Sequence, residues 1–445
     1  MSSRNSLYWI TNDLRIDDNE LLQRAKNADL LICLYCVDPK WFKPWRYHVA
    51  QMGKKRWQFL QEGLADLHQR LAALGQRLFI VHQAPEEVIP TLCQLHNISD
   101  LLLSRQFGFD ERRALASIEK QQPHLSIFES DHATLLPASE LELGFPNLKG
   151  GFTPFKNRAL MVLDDLVQPL PAVKRLPPAP RQLSIDLDTS VNYLPTTAND
   201  TKALFKGGET QAQSHIINYL SSDALSHYKQ TRNALMGFTH SSKLSAWLNS
   251  GALSVRQVHA QVCQYEQKHG RNESSQWMIF ELLWREYFHW LSLSQSQSLF
   301  TFKGLRKNPP LTGYYAERFQ KWSQGNTAYP LVNACMRELN ATGYLSNRGR
   351  QIAASCFVNE LQLDWRYGAA WFEHNLLDYQ VSVNWGNWQY IAGVGVDPRG
   401  GRHFNIEKQQ KSYDPDKYYI NTWCGHEDFS QQASDSVDAA DWPNV

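Results

Sequence analysis

Between Tyr344 and Tyr390 the chain interleaves aromatics, arginines, asparagines and carboxylates where a plain helical core would carry Leu and Ala. The segments are Tyr344-Leu-Ser-Asn347-Arg348-Gly349-Arg350, Asp364-Trp365-Arg366, and Asp378 through Asn384-Trp385-Gly386-Asn387-Trp388-Gln389-Tyr390. Such a mixture suits a flat, polar-edged, redox-active ring with tryptophans close enough to pass it electrons. Arg350 and Asp378 can form a charge-assisted pair against a ligand edge. Arg348, Arg366 and Arg402 can form a basic rim for phosphates, although each alone reads more simply as a solvated helix-end charge.

Two further groups carry chemistry. On a helix, Trp277, Glu281, Trp284, Arg285 and Phe288 share one face. An acid and a guanidinium inside an aromatic stripe are costly to bury unless they hold something or pair with each other. Gly237-Phe-Thr239-His-Ser241-Ser242-Lys243-Leu244-Ser245 places hydroxyls and a lysine around a helix start, which is either an anion site suited to a pyrophosphate or ordinary capping. The chain has no HExxH, GxSxG, paired-carboxylate or Cys/His pattern with metal spacing. Metal catalysis and acyl transfer are therefore not expected, and no metal ligand is assigned.

These groups need elements to hold them. The 445 residues suffice for two or three domains. A net charge of +1 neither favours nor opposes nucleic acid, so a DNA-binding face must be a local patch. Tryptophan is over-used, with 15 in the chain and 11 of them at or after residue 247, most of which a helical core would claim for packing. No apolar run reaches membrane-span length, and the start has no signal-peptide core. Seven scattered cysteines point to a reducing, cytoplasmic setting. Cys33-Leu-Tyr-Cys36 lies in a strand-like run that sends its two thiols to opposite faces.

Residues 1–130 alternate apolar strands (Leu7–Thr11, Leu30–Val37, Leu78–His82, Leu101–Ser104, Leu125–Glu129) with amphipathic helices. This predicts an α/β domain with a Rossmann-like, parallel five-stranded sheet covered on both faces. It lacks both GxGxxG and GxxxxGK[ST]; Asn12-Asp13-Leu14-Arg15-Ile16-Asp17-Asp18-Asn19 follows the first strand instead. Residues 131–205 read as a proline-rich connector, 206–426 as an all-helical domain, and 427–445 as an acidic flexible tail.

In order along residues 6–425, Asn12–Asn19, Gly150-Gly-Phe-Thr-Pro154-Phe-Lys-Asn, Gly207-Gly-Glu-Thr, Tyr228-Lys-Gln-Thr-Arg, Ser241-Ser-Lys-Leu-Ser245, Ala341-Thr-Gly-Tyr-Leu-Ser-Asn347-Arg-Gly-Arg350 and Asn384-Trp-Gly-Asn-Trp388-Gln-Tyr390 resemble motifs of the DNA photolyase/cryptochrome family, in its cryptochrome-DASH version. The resemblance implies an antenna domain, a connector and a helical domain holding FAD. By position it places Tyr228, Ser241, Ser242 and Ser245 on the phosphate side. Arg350 and Asp378 fall at the flavin's pyrimidine edge and Asn384 at N5. Lys243, Leu244, Trp277, Glu281, Arg285, Asn347 and Gln380 also fall among the cofactor contacts.

The implied reaction is light-driven. Excited reduced flavin lends an electron to a cyclobutane pyrimidine dimer, the ring splits and the electron returns. The dimer must leave the stack, with Glu281 bonding its polar edges, Trp284 and Tyr390 at its rings, and Arg285, Arg348 and Arg402 on flanking phosphates. The implied partner is single-stranded DNA carrying pyrimidine dimers, bound by a monomer. Trp388 and Trp365 match the first two members of an electron relay; the third position is Thr312, for which Tyr314, Tyr315 or Trp322 could substitute. Tyr390 replaces a second stacking Trp, a loss that favours single strands because base–aromatic stacking is worth roughly 1–3 kcal/mol. Gln106 replaces an acid that would contact a methenyltetrahydrofolate antenna, and Gln380 replaces an Asp near the cofactor. The alternatives are a blue-light receptor without repair and a light-independent flavin oxidoreductase; the latter lacks a nicotinamide fingerprint.

Overall fold

The structure, a computed structural model, describes residues 4–131, 133–140, 148, 151–163, 168–183, 204–397, 400–427 and 429. Five strands, β1 (Asn5–Ile10), β2 (Leu30–Cys36), β3 (Leu78–Val81), β4 (Ile98–Ser104) and β5 (Ser126–Ser130), form one sheet in the order β3-β2-β1-β4-β5. Every pairing is parallel. The expected strands are thus present. Their continuous apolar runs follow from helices on both faces, which leave no wet side to alternate toward.

The Asn12–Asn19 segment is where sequence logic missed the purpose. It fastens the sheet to the helical part. Asp18 is fully buried and takes Arg256 Nε and Nη2 at 3.0 and 2.8 Å. Arg15 donates to the Gly251 carbonyl at 2.9 Å. Glu209 accepts the Ile16 and Asp17 amides at 2.7 and 3.0 Å. Gly251 sits in the left-handed region at φ 72°, and a Cβ there would lie 1.9 Å from the Asn12 carbonyl oxygen, so the approach requires glycine.

Within the connector, the helix Phe152–Val162 packs on the long helix Glu273–Gln295, while Pro178 and Pro177 carbonyls accept from Leu31 and Gln76 beside the sheet. The long helix begins in a capping box between Asn272 and Ser275. From Glu209 to Cys424 the regular structure is helical. At the tail, Glu427 and Phe429 are docked on Arg337, the first by paired bonds of 2.9 and 2.8 Å and the second under its guanidinium. Of the tail expected over 427–445, Glu427 and Phe429 are thus docked, and the rest lies outside the described residues. No helix among the described residues is long and apolar enough to cross a membrane.

Candidate functional site

The helical part encloses a cavity of about 500 Å³, within the range of sites that engulf a large cofactor. Four elements build its wall. Ser241 to Ser245 lead into the short helix Ser245–Ser250. The long helix Glu273–Gln295 presents Glu281, Trp284, Arg285 and Phe288. The helix Asn347–Ser355, capped by the Ser346 hydroxyl on the Gly349 amide, presents Asn347 and Arg350. The helix Val381–Ile391 presents Asn384, Trp388 and Tyr390. Tyr228, Lys243, Leu244, Asp378, Gln380 and Arg402 line the same space.

The polar geometry has a direction. Arg350 Nη2 spans both Asp378 oxygens at 2.9 and 2.7 Å, and Asp378 is 3% exposed. Asn249 accepts from Arg285 and donates to the Asp378 carbonyl, tying the floor to the long helix. Asn384 donates its amide nitrogen to the Ala369 carbonyl at 3.0 Å, which leaves its oxygen as an acceptor. Gln380 spends its side-chain oxygen capping the helix at Val383 N. A serine-rich strip, a lysine, a buried ion pair, an amide acceptor and aromatic walls form a donor set that fits FAD.

Several expected roles are altered. Trp277 does not line the cavity; its Nε1 donates to Glu281 at 2.9 Å from behind. Glu281 pairs with Arg232 at 2.7 Å and not with Arg285, and burial pushes its carboxyl pKa up. Arg285 is turned inward, donating to the Ala133 and Leu248 carbonyls at 2.9 and 3.1 Å, so its guanidinium is not offered to a DNA phosphate. Arg402 is held by Asp397 at 2.7 Å and by the Tyr390 hydroxyl at 2.6 Å, and Arg366 by Asp364. Among the described residues Arg348 has no carboxylate partner; it bonds Asn233 at 3.2 Å and lies over Tyr413. The basic rim thus reduces to Arg348 and a neutralised Arg402.

Phe152 lies flat on Trp284, centroids 3.7 Å apart at 10°, covering one of its faces, while Tyr390 meets Trp284 edge-on at 6.1 Å. Arg232, Asn249 and Phe152 were missed as site residues. Arg232 closes the Tyr228 motif, yet no local pattern ties it to the distant Glu281. Trp322 is 0% exposed and stands against Trp388 at 6.2 Å, beside it and not toward the surface. It cannot be the outer member of a relay.

The space beside Gln106 measures about 30 Å³, room for little more than a water. Gln106 itself donates to Thr11 and Ser104 at 2.9 and 2.7 Å.

Burial pushes the carboxyls of Glu209, Glu286, Glu338 and Glu373 up to about 7. A carboxyl raised in the folded state stabilises it most below the unfolded value, and that contribution is lost as pH rises through about 7. The melting temperature is therefore expected to fall between pH 5.5 and pH 8. Glu373→Gln, neutral throughout, should shrink the accompanying loss of unfolding free energy by about 1–2 kcal/mol. A flat melting profile in the wild-type chain would contradict these shifts.

A Rossmann-type sheet latched to a helical vessel with a flavin-shaped, tryptophan-walled cavity defines the class: a light-absorbing flavoprotein of the photolyase type, with FAD as cofactor. Residues 6–177 match the family described as DNA photolyase, and residues 277–435 match the FAD binding domain of DNA photolyase. Cryptochrome DASH of Idiomarina loihiensis is 46% identical, covering 99% of this chain and 96% of its own. Cryptochrome DASH of Vibrio parahaemolyticus is 44% identical over 100% and 98%. The solved Synechocystis sp. cryptochrome superposes with a TM-score of 0.88 at 36% identity, over 95% of this chain and 89% of that one. The chain belongs to the DNA photolyase/cryptochrome family, in its cryptochrome-DASH branch.

Proposed function

We propose that the protein is a blue-light DNA photolyase that splits cyclobutane pyrimidine dimers in single-stranded DNA, acting as a cytoplasmic monomer. The observation that carries this reading is the convergence of Glu281, Trp284, Tyr390 and Asn384 on one cavity. Bound FAD, when reduced and excited, supplies the electron. Arg350 and Asp378 would hold the flavin's pyrimidine edge, and the Asn384 oxygen would accept a hydrogen bond from a flavin N–H without adding charge. Glu281 is raised by burial and fixed by Trp277 and Arg232, which suits it to hold the carbonyl and N–H edges of a flipped dimer. The uncovered face of Trp284 and the Tyr390 ring flank the lesion. Arg348, on the helix that also carries Asn347 and Arg350, is the cation assigned to a flanking phosphate.

The test is illumination of reduced protein with dimer-bearing oligo(dT), single- and double-stranded. Repair of the single strand with little repair of the duplex is expected; no repair of either would defeat the reading. Tyr390→Trp enlarges the ring that holds the flipped lesion. It is expected to raise the double- to single-strand ratio by up to roughly tenfold, since a fraction of base–aromatic stacking is about 1.4 kcal/mol. An unchanged ratio would remove Tyr390 from strand choice.

The Phe152 stack supports a second reading. With one face of Trp284 already covered, lesion binding is reduced, as a blue-light receptor binding nucleic acid or protein without repair would tolerate. Binding without repair in the same assay distinguishes it.

A further inference from the structure

The buried tryptophans need an exit to solvent, and Thr312 leaves the expected place without an aromatic ring. Trp388 lies against Gly368, where a Cβ would meet its ring at 2.3 Å; Gly368 is one turn along the helix Trp365–Asn375 from Trp365. Trp365 is fully buried and meets Trp385 at 5.8 Å. Trp385 meets Tyr47 at 5.9 Å, and Tyr47 meets Tyr367 at 5.1 Å. Tyr367 stacks on Tyr314 at 4.1 Å and 19°. A second branch runs from Trp388 to Trp322 at 6.2 Å and from there to Tyr314 and Tyr367 by tunnelling across Phe319, a spacer that is not itself oxidised and whose ring lies 6.5 Å from Trp322 and 6.0 and 6.2 Å from the two tyrosines. Both branches converge on one pair, and Tyr314 is 38% exposed.

We propose that the stacked pair Tyr314–Tyr367 is the outer end of the electron path. This rests on the proposed role of Trp388 as immediate donor to the flavin. Under light, Trp388 gives one electron to the oxidised flavin and is refilled through Trp365 and Trp385, or through Trp322. The pair supplies that electron, and the phenol of Tyr314 releases its proton to water, leaving a neutral tyrosyl radical. An external thiol then returns one hydrogen atom to the oxygen and becomes a thiyl radical.

Stacking and exposure select Tyr314 over the other tyrosines, while Arg366, ion-paired with Asp364, faces Tyr47 and Tyr367 alike, and His48 lies 5.8 Å from Tyr314. Arg318 sits over Tyr315 at 4.4 Å and Arg366 over Tyr47 at 5.6 Å. A cation above a ring holds its electrons more tightly, so Tyr315 lies off the path, whereas Tyr47, between Trp385 and Tyr367, serves as a bridge. Tyr314 stacks on another phenol, and offset stacking spreads a hole over both rings.

The experiment is freeze-trapped electron paramagnetic resonance on the full-length, FAD-loaded chain after illumination, beside photoreduction yield with a thiol present. Wild-type protein is expected to give a tyrosyl signal that narrows when tyrosine is deuterated. The double variant Tyr314→Phe/Tyr367→Phe should lose that signal and several-fold of the yield, while circular dichroism and flavin content stay normal. Tyr315→Phe should change neither. Tyr367→Phe, which removes a single hydroxyl, is the fallback if the double variant folds poorly, and should weaken the signal. A full tyrosyl signal in the folded double variant, or its loss in Tyr315→Phe, overturns the proposal. Trp388→Phe separates the layers: if it leaves photoreduction intact, the relay reading itself fails; if it blocks photoreduction while the double variant keeps the signal, only the exit is wrong.

Discussion

Asp378→Ala is expected to leave the purified chain with less than about a tenth of its flavin and with a lower melting temperature, because a buried pair broken on one side costs about 3–5 kcal/mol. Asp378 is almost wholly buried and takes Arg350 through both oxygens. Its removal leaves the guanidinium inside the cavity wall with the Leu345 carbonyl at 2.8 Å and the Tyr344 ring, and with no carboxylate hydrogen-bonded to it among the described residues. The stranded charge harms the empty fold and also loses its aim at the cofactor, so FAD affinity should fall roughly a hundredfold, about 3 kcal/mol. Asp378→Asn keeps the shape and loses the charge, and should fall between the wild type and the alanine variant. The ratio of flavin to protein absorbance, together with thermal melts at saturating FAD, checks both. Full flavin occupancy in Asp378→Ala would mean that the pair shapes the fold without orienting the ring.

That pair was visible in the sequence because both partners lie inside one unusual segment. The sheet was visible too, since parallel strands buried on both faces are written as unbroken apolar runs between helical ones. What could not be read was contact between distant segments. Asn12–Asn19 showed in the sequence as a motif without a phosphate loop, but not what it touches: its work is a docking latch through Asp18, Arg15 and the amides on Glu209. The partner of Glu281 is likewise far away in the chain. Helical spacing favoured Arg285, whereas Arg285 points to backbone carbonyls and Arg232 supplies the charge. Tryptophans were countable but their depths were not. Trp322 reads like any relay member, yet it has no exposure at all, and Trp385 carries no spacing signal for its contact with Trp365.

Depth gives the second large expectation. Trp388→Phe should reduce flavin photoreduction by roughly tenfold or more, equivalent to about 1.4 kcal/mol of barrier or beyond, while repair by chemically reduced protein persists. Trp388 is the tryptophan that both lines the cavity and touches each branch leading outward, through Trp322 directly and through Gly368 on the Trp365 helix. Phenylalanine preserves most of the packing against Phe357 and Phe372, whose rings lie 5.6 and 5.1 Å away. Fold and flavin content should therefore stay near normal. A benzene ring gives up an electron far less readily than an indole, so the path is cut at its first step even though a ring still fills the space. Trp365→Phe should do less, because the Trp322 branch bypasses it, and Trp322→Phe should do less for the complementary reason. Only the double change at Trp365 and Trp322 should approach Trp388→Phe. If either single outer change matched Trp388→Phe, the path would be a single line; if Trp388→Phe were silent, electrons would reach the cavity by a route that avoids the one tryptophan in its wall common to both branches.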